Sequence, residues 1–142
     1  MTFIHDVNFS LAIKHVLHMQ GIRDVSAFPD KVMALSKELL DTVNRLCLLE
    51  PAIAYDFFPV LRTEHDHIFL KGGMLLKGGL LSKRLGRASE MAVIICTIGP
   101  HLEKKVTDYF NRGDPLRAIL LDGIGSPAVD TLSQEACRVI LN

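Results

Sequence analysis

Met91-Ala92-Val93-Ile94-Ile95-Cys96-Thr97-Ile98-Gly99-Pro100 decides how the rest of the chain is read. The apolar run over 91–96, with Val93, Ile94 and Ile95 at its centre, predicts a buried central strand. A strand covered on both faces needs no polar alternation. Thr97-Ile98-Gly99-Pro100 then turns the chain. Proline suits the first position of a helix, where no backbone donor is missed. The helix that follows is predicted to run to Arg112, with Gly113 as its cap. Asp114-Pro115 opens a last segment that reads either as a strand over Ala118 to Leu121 ending at Gly123 or, the preferred reading, as a helix reaching Leu141. Its apolar residues continue at Ile124, Ala128, Val129, Leu132, Ala136, Val139 and Ile140. Gly123 and Gly125 then become positions where another backbone approaches closely. Over 116–129 this helix is apolar on nearly every side, and such a helix must be buried on all sides. Its outer side is therefore expected to be hidden by self-association, by a second polypeptide, or by the N-terminal helices folding over it.

Upstream, 7–20 reads as a helix with Leu11, Ile13, Val16 and Leu17 on a partial apolar face, ended by Gly21. Phe28-Pro29-Asp30 is a turn. An amphipathic helix over 31–49 follows, with its stripe at Val32, Leu35, Leu39, Val43, Leu46 and Cys47, and with Pro51 stopping it. Residues 53–62 and 67–70 read as strands joined by Thr63-Glu64-His65-Asp66. Lys71-Gly72-Gly73 and Lys77-Gly78-Gly79 form a near-repeat six residues apart, too short for a solenoid. Met74, Leu75, Leu76, Leu80, Leu81 and Leu85 suggest helical packing around it. The whole predicts an α+β fold (α/β in the loose sense). A small sheet of about three strands, mixed or antiparallel, is packed by about five helices, including a long apolar C-terminal one. The 142 residues are the usual length of one domain, so 1–142 is expected to be a single domain.

Composition narrows the function. Hydrophobic residues make up 49% of the chain, enough for a real core, and 16 basic residues balance 16 acidic ones. A neutral chain argues against nucleic acid, which needs a clustered basic excess. Lys83, Arg84 and Arg87, with Lys77, read as a solvated helix face. Cys47, Cys96 and Cys137 lie among apolar neighbours without CxxC spacing, so they read as free buried thiols in a reducing compartment. The N-terminus is not a signal peptide, and no apolar run approaches the roughly 20 residues of a membrane span. The expectation is a cytoplasmic protein.

Several motifs carry chemistry only in outline. Gly123-Ile124-Gly125-Ser126-Pro127-Ala128 matches the dinucleotide fingerprint G-x-G-x-x-A, but the fingerprint needs a further strand and an acid about 20 residues on. Residues 73–79 resemble a phosphate loop with the lysine misplaced. His15 with His18, and His65 with His67, each lack a third metal ligand in sequence, so no metal is expected. Asp122 and Asp130 lie about two turns apart on the last helix, ~12 Å, too far for paired carboxylate catalysis. No catalytic residue is expected.

Cys96-Thr97-Ile98-Gly99-Pro100-His101-Leu102-Glu103 is similar to the T-x-G-p-x-L-E turn of the vitamin B12-dependent methionine synthase activation family. A Gly113-Asp114 turn follows at the right distance. Residues 116–130 then resemble the long helix of that family's small stand-alone relatives, and Leu70-Lys71-Gly72-Gly73 suits its lead-in. The resemblance implies the front part of such a domain. It implies binding of S-adenosylmethionine for the reductive methylation of a corrinoid cofactor, with cobalamin held by a partner corrinoid protein or cobalamin-binding domain. Asp130 falls where the family places an acid against the ligand, and Thr97, Gly99, Gly125 and Ser126 complete the implied binding set. Aspartate is one methylene shorter than the glutamate of the family. The family's main ligand motif, Arg-x-x-x-Gly-Tyr, does not occur in the sequence. The carrier of the ligand's carboxylate is then expected beyond Asn142, on a partner chain, or lost. The chain would not be catalytic alone. A different class fits the same residues: a non-catalytic oligomerisation or assembly module that kept the fold.

Overall fold

The computed structural model describes residues 1–22 and 24–142. The fold is α+β. Its contacts divide it into two compact units, Met1–Phe3 with Ala54–Ile95, and Ile4–Ile53 with Cys96–Asn142. Among the described residues no helix is long and apolar enough to cross a membrane.

The strands are β1 (Thr2–Ile4), β2 (Ala52–Glu64), β3 (His67–Leu70), β4 (Met74–Lys77) and β5 (Glu90–Thr97), in the order β1-β2-β3-β4 with β5 also paired to β2. Among the described residues there are five strands, where about three were expected. β2, β3 and β4 form an antiparallel meander. The register slips between Val60 and Arg62, so Leu61 is a bulge residue, and its side chain is 65% exposed. The turn between β2 and β3 holds His65 at a φ of 48°.

The expected helix around residue 75 is instead β4 followed by the short α3 (Leu81–Leu85). Gly72 and Gly73 both take positive φ, which glycine adopts at no steric cost. They fold 74–77 back against β3, pairing His67 with Lys77 and Leu70 with Met74. The leucine run then alternates by strand period rather than helix period. Lys77, Lys83, Arg84 and Arg87 are all exposed. β5 is not the fully buried strand its composition suggested. Met91 to Ile94 are half-buried and Ile95 is 59% exposed.

The second unit is helical. α1 (Ile13–Met19) is shorter than the expected 7–20, with no side chain capping its start at Ala12. α2 (Asp30–Arg45) stops before residue 49. Cys47 takes a φ of 50°, and Leu48 turns back so that its N–H donates to Val43 O at 3.0 Å. This left-handed exit, not Pro51, ends the helix. Leu46 and Cys47 are consequently exposed, and the buried residues of α2 are Ser36, Leu39, Leu40, Thr42 and Val43. The thiols are free but differ from expectation: Cys47 and Cys137 are exposed and Cys96 is half-buried.

α4 (His101–Asn111) and α5 (Pro115–Leu141) begin where their sequence signals lie. Gly113, at a φ of 75°, ends the first. Asp114 caps the second, accepting hydrogen bonds from Arg117 N at 3.2 Å and Arg117 Nη1 at 2.8 Å. The bond from the Arg117 side chain, then that from its backbone, holds the Asp114 carboxyl below the ordinary carboxylate range. A group whose folded pKa is depressed contributes fully above its unfolded value and fades as pH falls through the folded one. Asp114→Ala is expected to lower the melting temperature at neutral pH and to remove that portion of the acid sensitivity. Superimposable melting curves for variant and wild type at neutral pH would reject the cap.

α5 is the axis of this unit, packed by α4, α2 and α1. Its buried residues are Ala118, Leu121, Ile124, Pro127, Ala128, Leu132 and Ala136, at helical spacing. They join Val16, Leu39, Val43, Leu102 and Val106 in the core. The expectation of burial on every side is only half met. Leu116 is 50% exposed, Ile119 60% and Val129 36%. The N-terminal helices cover one face of the rod and leave the other open. The G-x-G-x-x-A match lies inside this continuous helix, not at a strand-to-helix turn, so it is not a dinucleotide loop.

Candidate functional site

The open face of α5 forms one wall of a concavity of about 680 Å³, wholly within the helical unit. The opposite wall is the β5–α4 turn, Cys96 to Gly99, with Leu102 and Glu103 from the first turn of α4. From α5 come Asp122, Gly125, Ser126, Val129, Asp130 and Ser133. The volume lies in the usual range for small-molecule sites, about 300–1,000 Å³.

The turn is held from behind. Gly99 N donates to Thr97 Oγ1 at 3.1 Å, and Glu50 N donates to Ile98 O at 2.8 Å. His101 Nε2 lies 3.1 Å from Glu50 Oε2. Gly99 has a φ of 75°, and a Cβ there would lie 2.7 Å from the Cβ of Glu50. The position therefore demands glycine for its conformation and again for space. On α5, a Cβ at Gly125 would meet Leu102 Cδ2 at 3.3 Å, so the small residue lets α4 and α5 approach at the base of the concavity.

All five residues that the sequence singled out, Thr97, Gly99, Gly125, Ser126 and Asp130, line this one space. Thr97 and Ser126 are exposed, and the Asp130 side chain is 38% exposed. Asp130 Oδ2 accepts a hydrogen bond from Gln134 Nε2 at 2.8 Å and lies 3.5 Å from His15 Nε2. Sequence reasoning missed Glu103, Asp122 and Ser133. Residues 122, 126, 129 and 133 recur at three- and four-residue spacing, so the helix period carried the signal once one of them was placed. Asp122 was weighed only as a catalytic partner for Asp130. The two are instead separate acids along one wall. Among the described residues the lining thus holds three carboxylates, from Glu103, Asp122 and Asp130, and the hydroxyls of Thr97, Ser126 and Ser133, with no lysine or arginine. Such a surface attracts a cationic or hydroxyl-rich small molecule and repels an uncompensated anion. Among the described residues no three His, Cys, Asp or Glu side chains are grouped to hold a metal ion.

An α+β fold with an acidic concavity between a tight turn and a long helix is the class to which the structure points. No protein-family model matches the sequence, and no curated protein matches it significantly. Among solved structures, the chain is similar to the crystal structure of the MetH reactivation domain bound to AdoHcy, with a TM-score of 0.55 and 14% identity. The likeness covers 93% of this chain and 46% of that one, so this chain spans about half the length of its structural neighbour. The relationship shown is one of fold.

Proposed function

We propose that the concavity binds an adenosyl sulfonium ligand, S-adenosylmethionine, and that the chain takes part in the methylating reactivation of a corrinoid cofactor held by a partner protein. One observation carries this reading: Asp130, Thr97, Gly99, Gly125 and Ser126 line a single concavity, in a fold like that of a domain whose structure holds AdoHcy. The residues present fit the cationic half of the ligand. Carboxylates suit a sulfonium centre and an α-ammonium group, and hydroxyls suit a ribose. Ser126, small and exposed, leaves room for a flat group against the helix. The ligand's own carboxylate finds no cationic partner among the described lining residues. An arginine from elsewhere in the assembly would supply it, so residues 1–142 act as one domain that binds and orients rather than as a complete enzyme. Cobalamin belongs to the partner, a corrinoid protein or a cobalamin-binding domain, and the cytoplasm is the compartment that suits this chemistry.

Calorimetric titration tests the reading. S-adenosylmethionine is expected to bind more tightly than S-adenosylhomocysteine, because only the former carries the sulfonium charge. Asp130→Asn is expected to weaken S-adenosylmethionine about tenfold, the worth of one charge-assisted contact at a partly exposed site. It should affect the uncharged thioether less. No heat with either ligand, with or without a corrinoid protein, would sink the proposal.

A second reading rests on the open face of α5, where Leu116 and Ile119 are at least half exposed. Exposed aliphatic residues on the central helix also suit an assembly module. A monodisperse dimer in sedimentation that binds no adenosyl ligand would favour it over the first.

A further inference from the structure

His15 is half-buried on α1, and one atom of it is out of balance. Its Nε2 is sealed from water and, among the described residues, makes no hydrogen bond, although 36% of the side chain is exposed. The carboxylate facing it is Asp130, whose Oδ2 lies 3.5 Å away. That same oxygen accepts the bond from Gln134 Nε2 at 2.8 Å, one turn along α5. Among the described residues, Oδ1 of Asp130 has no hydrogen bond. A sealed polar nitrogen left without a partner is unfavourable, and the nearest remedy is a closer approach of this carboxylate.

We propose that His15 is the positioning residue for Asp130, an inference that rests on reading the concavity as an adenosyl sulfonium site. With its proton on Nε2 the imidazole donates toward Oδ2. A shift of about half an ångström brings the pair to ordinary hydrogen-bond distance. Gln134 fixes the same oxygen from along the helix. The carboxylate is then held by one edge, and Oδ1 is the oxygen left to meet the ligand. A pre-oriented acid loses less side-chain freedom when the ligand arrives, which raises affinity without adding a contact. α1 thereby reaches the site although none of its residues lines the concavity.

The test is calorimetry with S-adenosylmethionine on the whole chain. His15→Leu is expected to bind about tenfold more weakly, the scale of one hydrogen bond to a charged group. His15→Gln, whose amide can donate, is expected to stay near wild type. In an Asp130→Asn background, His15→Leu is expected to cause no further loss. Should His15→Leu not fold, His15→Ala titrated with and without free imidazole reads the same role, with recovery of affinity supporting it and no recovery overturning it. Wild-type binding that His15→Leu leaves unchanged overturns the inference alone. So does a loss that persists in full beside Asp130→Asn, since the histidine would then act by packing. A wild-type chain that takes up no S-adenosylmethionine removes the ligand reading, and the positioning role falls with it.

Discussion

Leu121→Ala is expected to lower the free energy of unfolding by about 3 kcal/mol, within the range of large-to-small core truncations. Leu121 is fully buried on the inner face of α5, near its N-terminal end, in the cluster that includes Val16, Leu39, Val43 and Leu102. These neighbours belong to α1, α2 and α4, each fixed by its own packing against the same rod. None can move into the vacated space without leaving another contact, so the cavity term adds to the lost transfer energy. Ile119→Ala, two positions earlier on the same helix, is the control. Ile119 is 60% exposed, and its truncation is expected to change stability by less than about 0.5 kcal/mol. Urea titration of both variants, with the slope unchanged, reads the difference. A Leu121→Ala loss below about 1 kcal/mol would deny that α5 is the core axis. A large, concentration-dependent loss from Ile119→Ala would show that the open face is covered by a second copy.

Gly99→Ala is expected to cost about 2–5 kcal/mol and to weaken ligand binding with it. Two effects add. An L-residue at a φ of 75° occupies the left-handed region, an expense of roughly 1–2 kcal/mol. The new Cβ would stand 2.7 Å from Glu50 Cβ, an atom next to the backbone that cannot swing away. Overpacking of this kind costs about 1–3 kcal/mol. Gly113→Ala separates the two effects. Gly113 has the same φ of 75°, but a Cβ there meets nothing within 4 Å. Its variant is expected to show the conformational penalty alone, about 1–2 kcal/mol. Equal losses at the two glycines would mean that the Glu50 side yields freely and that the turn is not clamped. Relief of the Gly99 strain by moving the turn would displace Thr97 from the concavity, so affinity and stability are expected to fall together.

Much of the C-terminal half was legible because its signals are local. Proline before α4, Gly113 after it and Asp114-Pro115 before α5 each act through the backbone within a turn of where they stand. The structure has its helix ends there. The hairpin at 65–66 was legible for the same reason. The leucine run over 74–81 was not. Its spacing is compatible with helix or strand, and the choice fell to Gly72 and Gly73, whose positive φ brings β4 into register with β3. α2 misled in a similar way, since its apolar stripe continues through Leu46 and Cys47 after the chain has already reversed.

The five implied site residues were legible one by one, from the Thr97 to Gly99 turn and the small-residue stretch of α5. Glu103, Asp122 and Ser133 joined the lining of the concavity only when α4 and α5 packed side by side, with Gly125 admitting Leu102. His15 gave no sign of facing Asp130, because 115 positions separate them and no periodicity spans that distance.

By itself, then, the sequence determined where α4 and α5 start and stop, where the hairpin turns, and which short segments hold the turn and the small residues. The tertiary structure alone decided which side of α5 is core and which is open. It also brought three carboxylates from two walls to one concavity and set a histidine behind one of them. The physical reason is range. Caps, turns and φ preferences are settled within a few residues, whereas a helix apolar on both faces has its inner side chosen only by the helices that reach it first.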